Sequence, residues 1–348
     1  MGVALSLFYL VLGLALAPLG SRLLHIAFLA FGFLPSFTYS IASSYVASLA
    51  RTSASDIAIA TAATWSAPLA SLLSPKWSLL LLGLASAYMA VSTAVRYSGR
   101  VPARFRPSIL AVSAAYGSMG LFGVMAGLTG KLGIVPAGLG VVLASAVGMI
   151  YAVTWHSLPR TFRDTGSLPG LVALYAVHYS SLAALAFGRT GPALMLLGAG
   201  LLLYGFSSNF HKLGKYVSAS RSAPEGPARR GRLYFAWGHV MVAASIAAIL
   251  VLIAAHMAGE ARLATLVHAI PVGFVGMHIY IHVPMMLPPL FGIKAPGVFT
   301  RAPFPLLLVS SLLWPISPHA FIVLFAASAV LVLVNTVPAL SRRKNQRR

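Results

Sequence analysis

Ten histidines are the residues of this 348-residue chain that favour metal chemistry, because acidic residues number only four and cysteine is absent. Neutral imidazole is a common metal ligand and can be buried among apolar helices. The lack of cysteine excludes thiolate zinc sites, iron–sulfur clusters, covalent c-type haem and thiol nucleophiles. With so few carboxylates, an aspartate-rich Mg²⁺–diphosphate site is excluded as well.

Three of the histidines, His268, His278 and His282, lie in one apolar segment. In a continuous α-helix, the second and third would stand about 80° and about 40° around the axis from the first. The segment therefore predicts one imidazole-lined helix face. Gly273 and Gly276 lie between the histidines, where a flat macrocycle or a neighbouring helix can approach the backbone.

Histidines in other apolar segments are candidates for the same sites. His25 is expected at the depth of His268, so that both would ligate one haem. His178 and His239 are expected deeper, near the other two histidines of the predicted face. A single buried histidine more often bonds a backbone carbonyl than a metal, and that interpretation stays open for each. The predicted cofactor ligands are His25, His268, His278 and His282, and the predicted metal ligands are His178, His239, His278 and His282.

The composition predicts that these residues are positioned by membrane-spanning helices. Hydrophobic residues make up 59% of the chain and charged residues 8%, whereas a soluble domain carries about 25% charged residues. A spanning helix needs about 20 apolar residues. Such runs predict an all-α polytopic bundle of twelve helices near 3–20, 23–49, 57–74, 77–95, 107–129, 132–157, 168–188, 191–209, 233–257, 263–287, 303–316 and 319–340.

The distribution of basic residues predicts the topology. With the N-terminus inside, 20 of the 25 lysines and arginines fall on the cytoplasmic side, as the positive-inside rule requires. Both termini are therefore expected in the cytoplasm. We predict one integral domain, 1–348, in the plasma membrane, without a cleavable signal peptide, and a basic cytoplasmic linker at 209–232. The basic residues lie in short loops between apolar runs, which indicates lipid rather than nucleic acid as their partner.

Two stretches resemble the NnrS family of twelve-helix membrane proteins, which contain haem and copper and are linked to nitric oxide metabolism. One surrounds His25 in the second predicted helix, and the other begins His268-Ala and continues through Val272-Gly273 to Met277. The family's paired histidine and following glutamate are absent from the second helix. A more distant resemblance is to subunit I of haem–copper oxidases and nitric oxide reductases, whose copper-ligand region is similar to Trp237-Gly-His239.

The resemblance implies haem b, with copper as a second metal, and a diatomic ligand such as nitric oxide or a redox partner that exchanges electrons. The sequence displays no electron donor and no proton path, so it leaves open whether the protein is an enzyme. The alternative is a secondary transporter of a neutral or anionic solute, in which histidines and prolines line broken helices. A structural subunit of a larger membrane complex is the third possibility.

Overall fold

A computed structural model of the chain describes residues 2–16, 21–50, 52–290 and 299–341, and every regular element in these ranges is helical. Ten of the described helices are long and apolar enough to cross a bilayer, and two shorter apolar helices accompany them. The predicted all-α polytopic class is confirmed, and each predicted range overlaps one apolar helix. The exact number of spans and the side on which the termini lie stay predictions.

We number the apolar helices in chain order. Their bounds are α1 Gly2–Leu16, α2 Arg22–Leu49, α3 Ala54–Leu73, α4 Pro75–Arg100, α5 Ala103–Thr129, α6 Ile134–Thr161, α7 Leu168–Ala186, α8 Thr190–Ser207, α9 Pro227–Met257, α10 Leu263–Met285, α11 Pro303–Leu313 and α12 Pro318–Ser341.

The chain divides into two compact units, a subdivision that the sequence did not predict. The first contains the chain up to Ser157 together with Leu168–Tyr204, and the second contains Leu158–Ser167 and the chain from Gly205 onward. Most of α1–α8 therefore belongs to the first unit, and α9–α12 belong to the second.

Helices α4 and α5 of the first unit pack backbone against backbone. A Cβ atom added at Gly83 would lie 2.6 Å from the amide nitrogen of Val124, and one added at Gly123 would lie 2.5 Å from the carbonyl oxygen of Leu79. Small residues allow the two backbones to approach this closely. Inside lipid, such close packing is a main source of attraction between helices, because the hydrophobic effect contributes little there.

A buried carboxylate joins α3 to α4 in the same unit. Asp56, in the first turn of α3, is 1% exposed. Its oxygens accept hydrogen bonds from Tyr88 and Ser92 at 2.8 Å, from Tyr97, and from Arg96 at 3.3 Å. Since three of these donors are spaced four residues apart, they lie on one face of α4. The hydrogen bonds of this carboxylate therefore link α3 to α4.

The segment 209–232, predicted as a linker, is largely helical. It contains a connecting helix, Leu213–Arg221, and α9 already begins at Pro227. Asp164 holds the connecting helix, because its carboxylate accepts from Lys212 Nζ at 2.7 Å and from Tyr216 at 3.0 Å. The helix buries Tyr216 and Val217 and exposes its basic residues. The predicted linker therefore contains an amphipathic helix that precedes α9.

Three helices are interrupted by a π-helical segment with α-helix on both sides. The segments are Ala27–Phe33 in α2, Val142–Val147 in α6 and Ala269–Val275 in α10. These helices recur at intervals of four along the chain. A π segment changes the direction in which all later side chains of its helix point, and such segments are frequent at functional sites.

Candidate metal centre

Three histidine side chains converge in the second unit. The ring centroid of His239, on α9, lies 5.9 Å from that of His278 and 6.2 Å from that of His282, both on α10. The two α10 rings are 6.5 Å apart. His278 and His282 share a face because they lie four residues apart in the regular helix after the π segment.

Hydrogen bonds to the backbone fix the tautomers of two of these histidines. His239 Nδ1 lies 2.8 Å from the carbonyl oxygen of Phe235, and His278 Nδ1 lies 2.8 Å from that of Phe274. A carbonyl oxygen only accepts, so each Nδ1 carries the hydrogen and each Nε2 keeps a lone pair. Metal-ligating histidines are commonly oriented in this way by a partner of the second ring nitrogen.

The Nε2 atoms of His239 and His282 are buried and have no hydrogen-bond partner within the described part of the chain. A buried polar atom without a partner costs about 1–3 kcal/mol. Both atoms are therefore available to a bound ion or ligand.

Hydroxyl groups and close packing hold α9 against α10 beside the cluster. Tyr234 donates to the carbonyl oxygen of Tyr280 at 2.7 Å, and the Tyr280 hydroxyl lies 3.0 Å from Ser328 Oγ on α12. At Gly238, an added Cβ would lie 2.4 Å from Ile281 Cγ1. The helices thus meet within one residue of His239 and His282.

Phenylalanine rings surround the imidazoles. The ring of Phe235 lies 4.6 Å from His239 and 5.6 Å from His282, Phe274 lies 4.8 Å from His278, and Phe210 lies 5.9 Å from His239. These rings give the cluster an apolar lining. The sequence analysis did not single out these phenylalanines, although the repeated spacing Phe-x-x-x-His at Phe235 and Phe274 would have indicated both their packing and their carbonyl bonds.

The cluster is slightly wider than a coordinated site. Within the described residues, no group of three or more histidine, cysteine, aspartate or glutamate side chains is arranged so that it could hold a metal ion. The centre of the triangle formed by the three rings is about 3.6 Å from each centroid, whereas a metal–imidazole bond of about 2.0–2.1 Å requires about 3.2 Å. To bind one ion, the rings would therefore have to move closer together and turn their Nε2 atoms toward one point.

His268 has contacts of its own. Its ring stacks on Trp314 at 4.0 Å and 15°, and its Nδ1 lies 2.9 Å from the carbonyl oxygen of Ala264. The predicted common face of α10 assumed a constant turn of about 100° per residue. Ala269–Val275 is π-helical, so that assumption fails between His268 and His278.

The other two predicted ligands lie in the first unit. His25 Nδ1 is 3.0 Å from the carbonyl oxygen of Gly13. His178 is 1% exposed, its Nε2 has no partner among the described residues, and its ring lies 5.2 Å from that of Tyr151. The assignments of His25 and His268 to haem and of His178 to a metal stay predictions.

No protein-family model, curated protein or solved structure matches this chain. The resemblance to the NnrS family therefore stays a prediction that rests on the short motifs around His25 and His268. The apolar helices are compatible with a multi-pass integral membrane protein, and the convergence of three histidines is the feature from which a function can be argued.

Proposed function

We propose that this protein is an integral membrane metal protein in which His239, His278 and His282 bind one transition-metal ion, with copper as the metal. The observation that carries the proposal is the convergence of three imidazoles, with two buried Nε2 atoms that lack a partner in the described residues. Imidazole ligands suit copper, zinc, iron and nickel.

The charge of the surroundings favours the cuprous ion over a dication. Three neutral imidazoles bring no negative charge, and burying an uncompensated charge is costly. The acidic residues of the second unit are Asp164, Glu225 and Glu260, which lie in polar connections outside α9–α12. A monovalent ion therefore needs less compensation here than Zn²⁺ or Cu²⁺ would.

A cuprous ion held by His239, His278 and His282 would bind a diatomic ligand such as nitric oxide and would exchange one electron. The chain's own residues orient the imidazoles and line the site. The carbonyls of Phe235 and Phe274 fix the ring orientation, and the phenylalanine rings give the site an apolar lining. A small apolar ligand can enter such a site more readily than a hydrated ion or a large solute.

The space beside the glycines of α10 does not fit a haem. An added Cβ at Gly273 would lie 2.8 Å from Ser311 Oγ and 3.2 Å from Ser245 Oγ, and one at Gly276 would lie 3.4 Å from Leu307. Side chains of α9 and α11 therefore occupy the space that a macrocycle would need against these residues. Haem b on His25 and His268 stays a separate prediction, and the copper proposal does not depend on it.

Metal analysis of the purified protein tests the proposal. We expect about one copper per chain after loading with cuprous ion under reducing conditions. His239→Gln, His278→Gln and His282→Gln should each lower copper retention against a cuprous chelator about tenfold or more. The exposed His211 and His319 provide matched controls, because their replacement by glutamine should leave retention unchanged.

Two results would contradict the copper site: wild-type protein that retains no copper, or cluster variants that retain as much as the controls. Visible spectra of the same preparations report on haem through a Soret band. If the protein retained zinc in preference to copper, the site would be assigned to zinc, and the proposed redox role would be wrong.

Transport is a second candidate function, favoured by the interrupted helices. The π segments of α2, α6 and α10 break the regular hydrogen bonding of three apolar helices, and discontinuous helices line the binding sites of many transporters. Metal-free, colourless protein that moves a radiolabelled anion across proteoliposomes would support this function over the metal site.

A further inference from the structure

Two arginines flank one tryptophan at the end of the second unit where α9 begins. The Cζ atoms of Arg221 and Arg301 each lie 5.8 Å from the ring centroid of Trp237. The three residues come from different elements: Arg221 ends the connecting helix, Trp237 lies in α9, and Arg301 immediately precedes α11. We call them the Arg–Trp cluster.

Among the described residues, no acidic side chain forms an ion pair with either arginine of the cluster. Within the described residues, the ion pairs that involve acidic side chains are Arg96–Asp56, Lys212–Asp164 and Arg229–Glu225. The remaining acidic residue, Glu260, follows the opposite end of α9, about 30 Å from Trp237 at 1.5 Å per residue. The two guanidinium groups are at most about 12 Å apart, as both contact one ring, and so repel each other.

Trp237 contributes an unused donor to the cluster. Its Nε1 atom is buried and has no hydrogen-bond partner among the described residues. Indole Nε1 can only donate, so its partner must be an acceptor. Two guanidinium groups and one indole N–H together are the donors that a phosphate oxygen requires.

Apolar surface lies next to the cluster. Thr300, the neighbour of Arg301, is held to α12 because its amide donates to Asn335 Oδ1 at 2.9 Å and its carbonyl accepts from Asn335 Nδ2 at 3.0 Å. The preceding residues of α12, Leu333 and Val334, are 57% and 49% exposed. A free phosphate would leave this surface uncovered, whereas an acyl chain would cover it.

We propose that the Arg–Trp cluster binds the phosphate group of an anionic phospholipid whose acyl chains lie along the exposed face of α12. Basic residues beside a membrane attract anionic headgroups, and tryptophan is enriched at the level of the headgroups. This site is separate from the histidine cluster and does not rest on the proposed function.

Native mass spectrometry of the full-length protein tests the site. Protein from nanodiscs that contain phosphatidylglycerol and phosphatidylcholine should retain phosphatidylglycerol preferentially. The double variant Arg221→Gln/Arg301→Gln should lower that retention about tenfold. Trp237→Phe, which keeps the ring and removes the N–H, should lower it several-fold. Arg232→Gln is the matched control, because Arg232 is exposed on α9 but about 140° around the helix from Trp237.

A second arm distinguishes lipid from free anion. Inorganic phosphate at millimolar concentration should leave the bound phosphatidylglycerol in place. Displacement of the lipid by inorganic phosphate would overturn the lipid assignment. Equal retention in wild type, the double variant and Trp237→Phe would overturn the site itself. Unchanged melting temperature and elution volume ensure that a loss of lipid reports on the site and not on unfolding.

Discussion

The imidazole rings of His239 on α9 and His278 on α10 meet in a T-shaped, edge-on arrangement, with their centroids 5.9 Å apart and their planes at 86°. Both rings donate through Nδ1 to the carbonyl four residues earlier on their own helix. Their relative position therefore depends on the distance between the two helices, and a change in that distance should alter the metal site without touching a ligand.

We expect Gly238→Ala to weaken both the fold and the metal site. The new Cβ would lie 2.4 Å from Ile281 Cγ1 and 3.0 Å from Phe304 Cζ, so the side chain of Ile281 or the helices that carry it must shift. Overpacking of this kind costs about 1–3 kcal/mol. Thermal unfolding in detergent and copper retention should both decrease.

Gly231→Ala is the matched control for that variant. It lies on the same helix, but its added Cβ would meet Met285 Cε at 3.5 Å, an ordinary contact. We expect stability within about 1 kcal/mol of wild type, because alanine is the better helix former. If both glycine variants behaved alike, the close approach at Gly238 would not be what holds the histidines.

His178→Leu should leave copper retention unchanged, in contrast to His239→Leu. His178 lies in the first unit, and its Nε2 has no partner among the described residues. Replacing a buried polar group of this kind by an apolar side chain is often neutral or stabilising. Copper analysis and melting temperatures of the two leucine variants make the comparison. A loss of copper in His178→Leu would instead indicate that His178 is a metal ligand.

Asp56→Ala should be strongly destabilising, whereas Glu225→Ala should be close to neutral. Removing the carboxylate of Asp56, which is 1% exposed, leaves Tyr97 and the other hydroxyl donors without their acceptor. Each buried hydroxyl donor left without a partner costs about 1–3 kcal/mol. The Glu225 side chain is 93% exposed, and exposed pairs contribute little. Thermal unfolding in detergent measures the stability of both variants. Equal melting temperatures of Asp56→Ala and Glu225→Ala would contradict a structural role for Asp56.

The stability that Asp164 contributes should be lost in acid. The hydrogen bond from Lys212, followed by one from the backbone amide of Thr165, lowers the pKa of Asp164 from 3.8 to about 2. A pKa that is lower in the folded state stabilises the fold above the unfolded value, and this contribution disappears as the pH falls from about 4 to about 2.

Asp164→Asn tests this dependence by difference. The melting temperature of wild type should exceed that of the variant at pH 5, and the two should converge as the pH approaches the folded pKa. A difference that stays constant over this range would show that the ionised carboxylate is not the source of the stabilisation.

The fold class could be predicted from the sequence because a bilayer demands long apolar helices whatever their partners are. Each predicted range overlaps an apolar helix for that reason. The helix at 213–221 could not be predicted in the same way. The basic residues of this segment interrupt the apolar pattern to which Tyr216 and Val217 belong.

The candidate site was only partly predictable. His278 and His282 are four residues apart in one helix, so their shared face follows from helix geometry alone. The sequence placed both His178 and His239 at the depth of these two residues but could not distinguish between them, since contacts between helices depend on register and rotation. It also could not show that Ala269–Val275 is π-helical, which changes the direction of His268 relative to the other two histidines.

The sequence by itself determined the helical class, the apolar character of the helices and the residue types available for chemistry, because these follow from hydrophobicity and composition. Only the tertiary structure selected three of the ten histidines as one cluster and brought two arginines to one tryptophan. Sequence periodicity shows which residues share a face of one helix, whereas a site is formed where the faces of different helices meet. Close packing at positions such as Gly238 determines which faces are in contact.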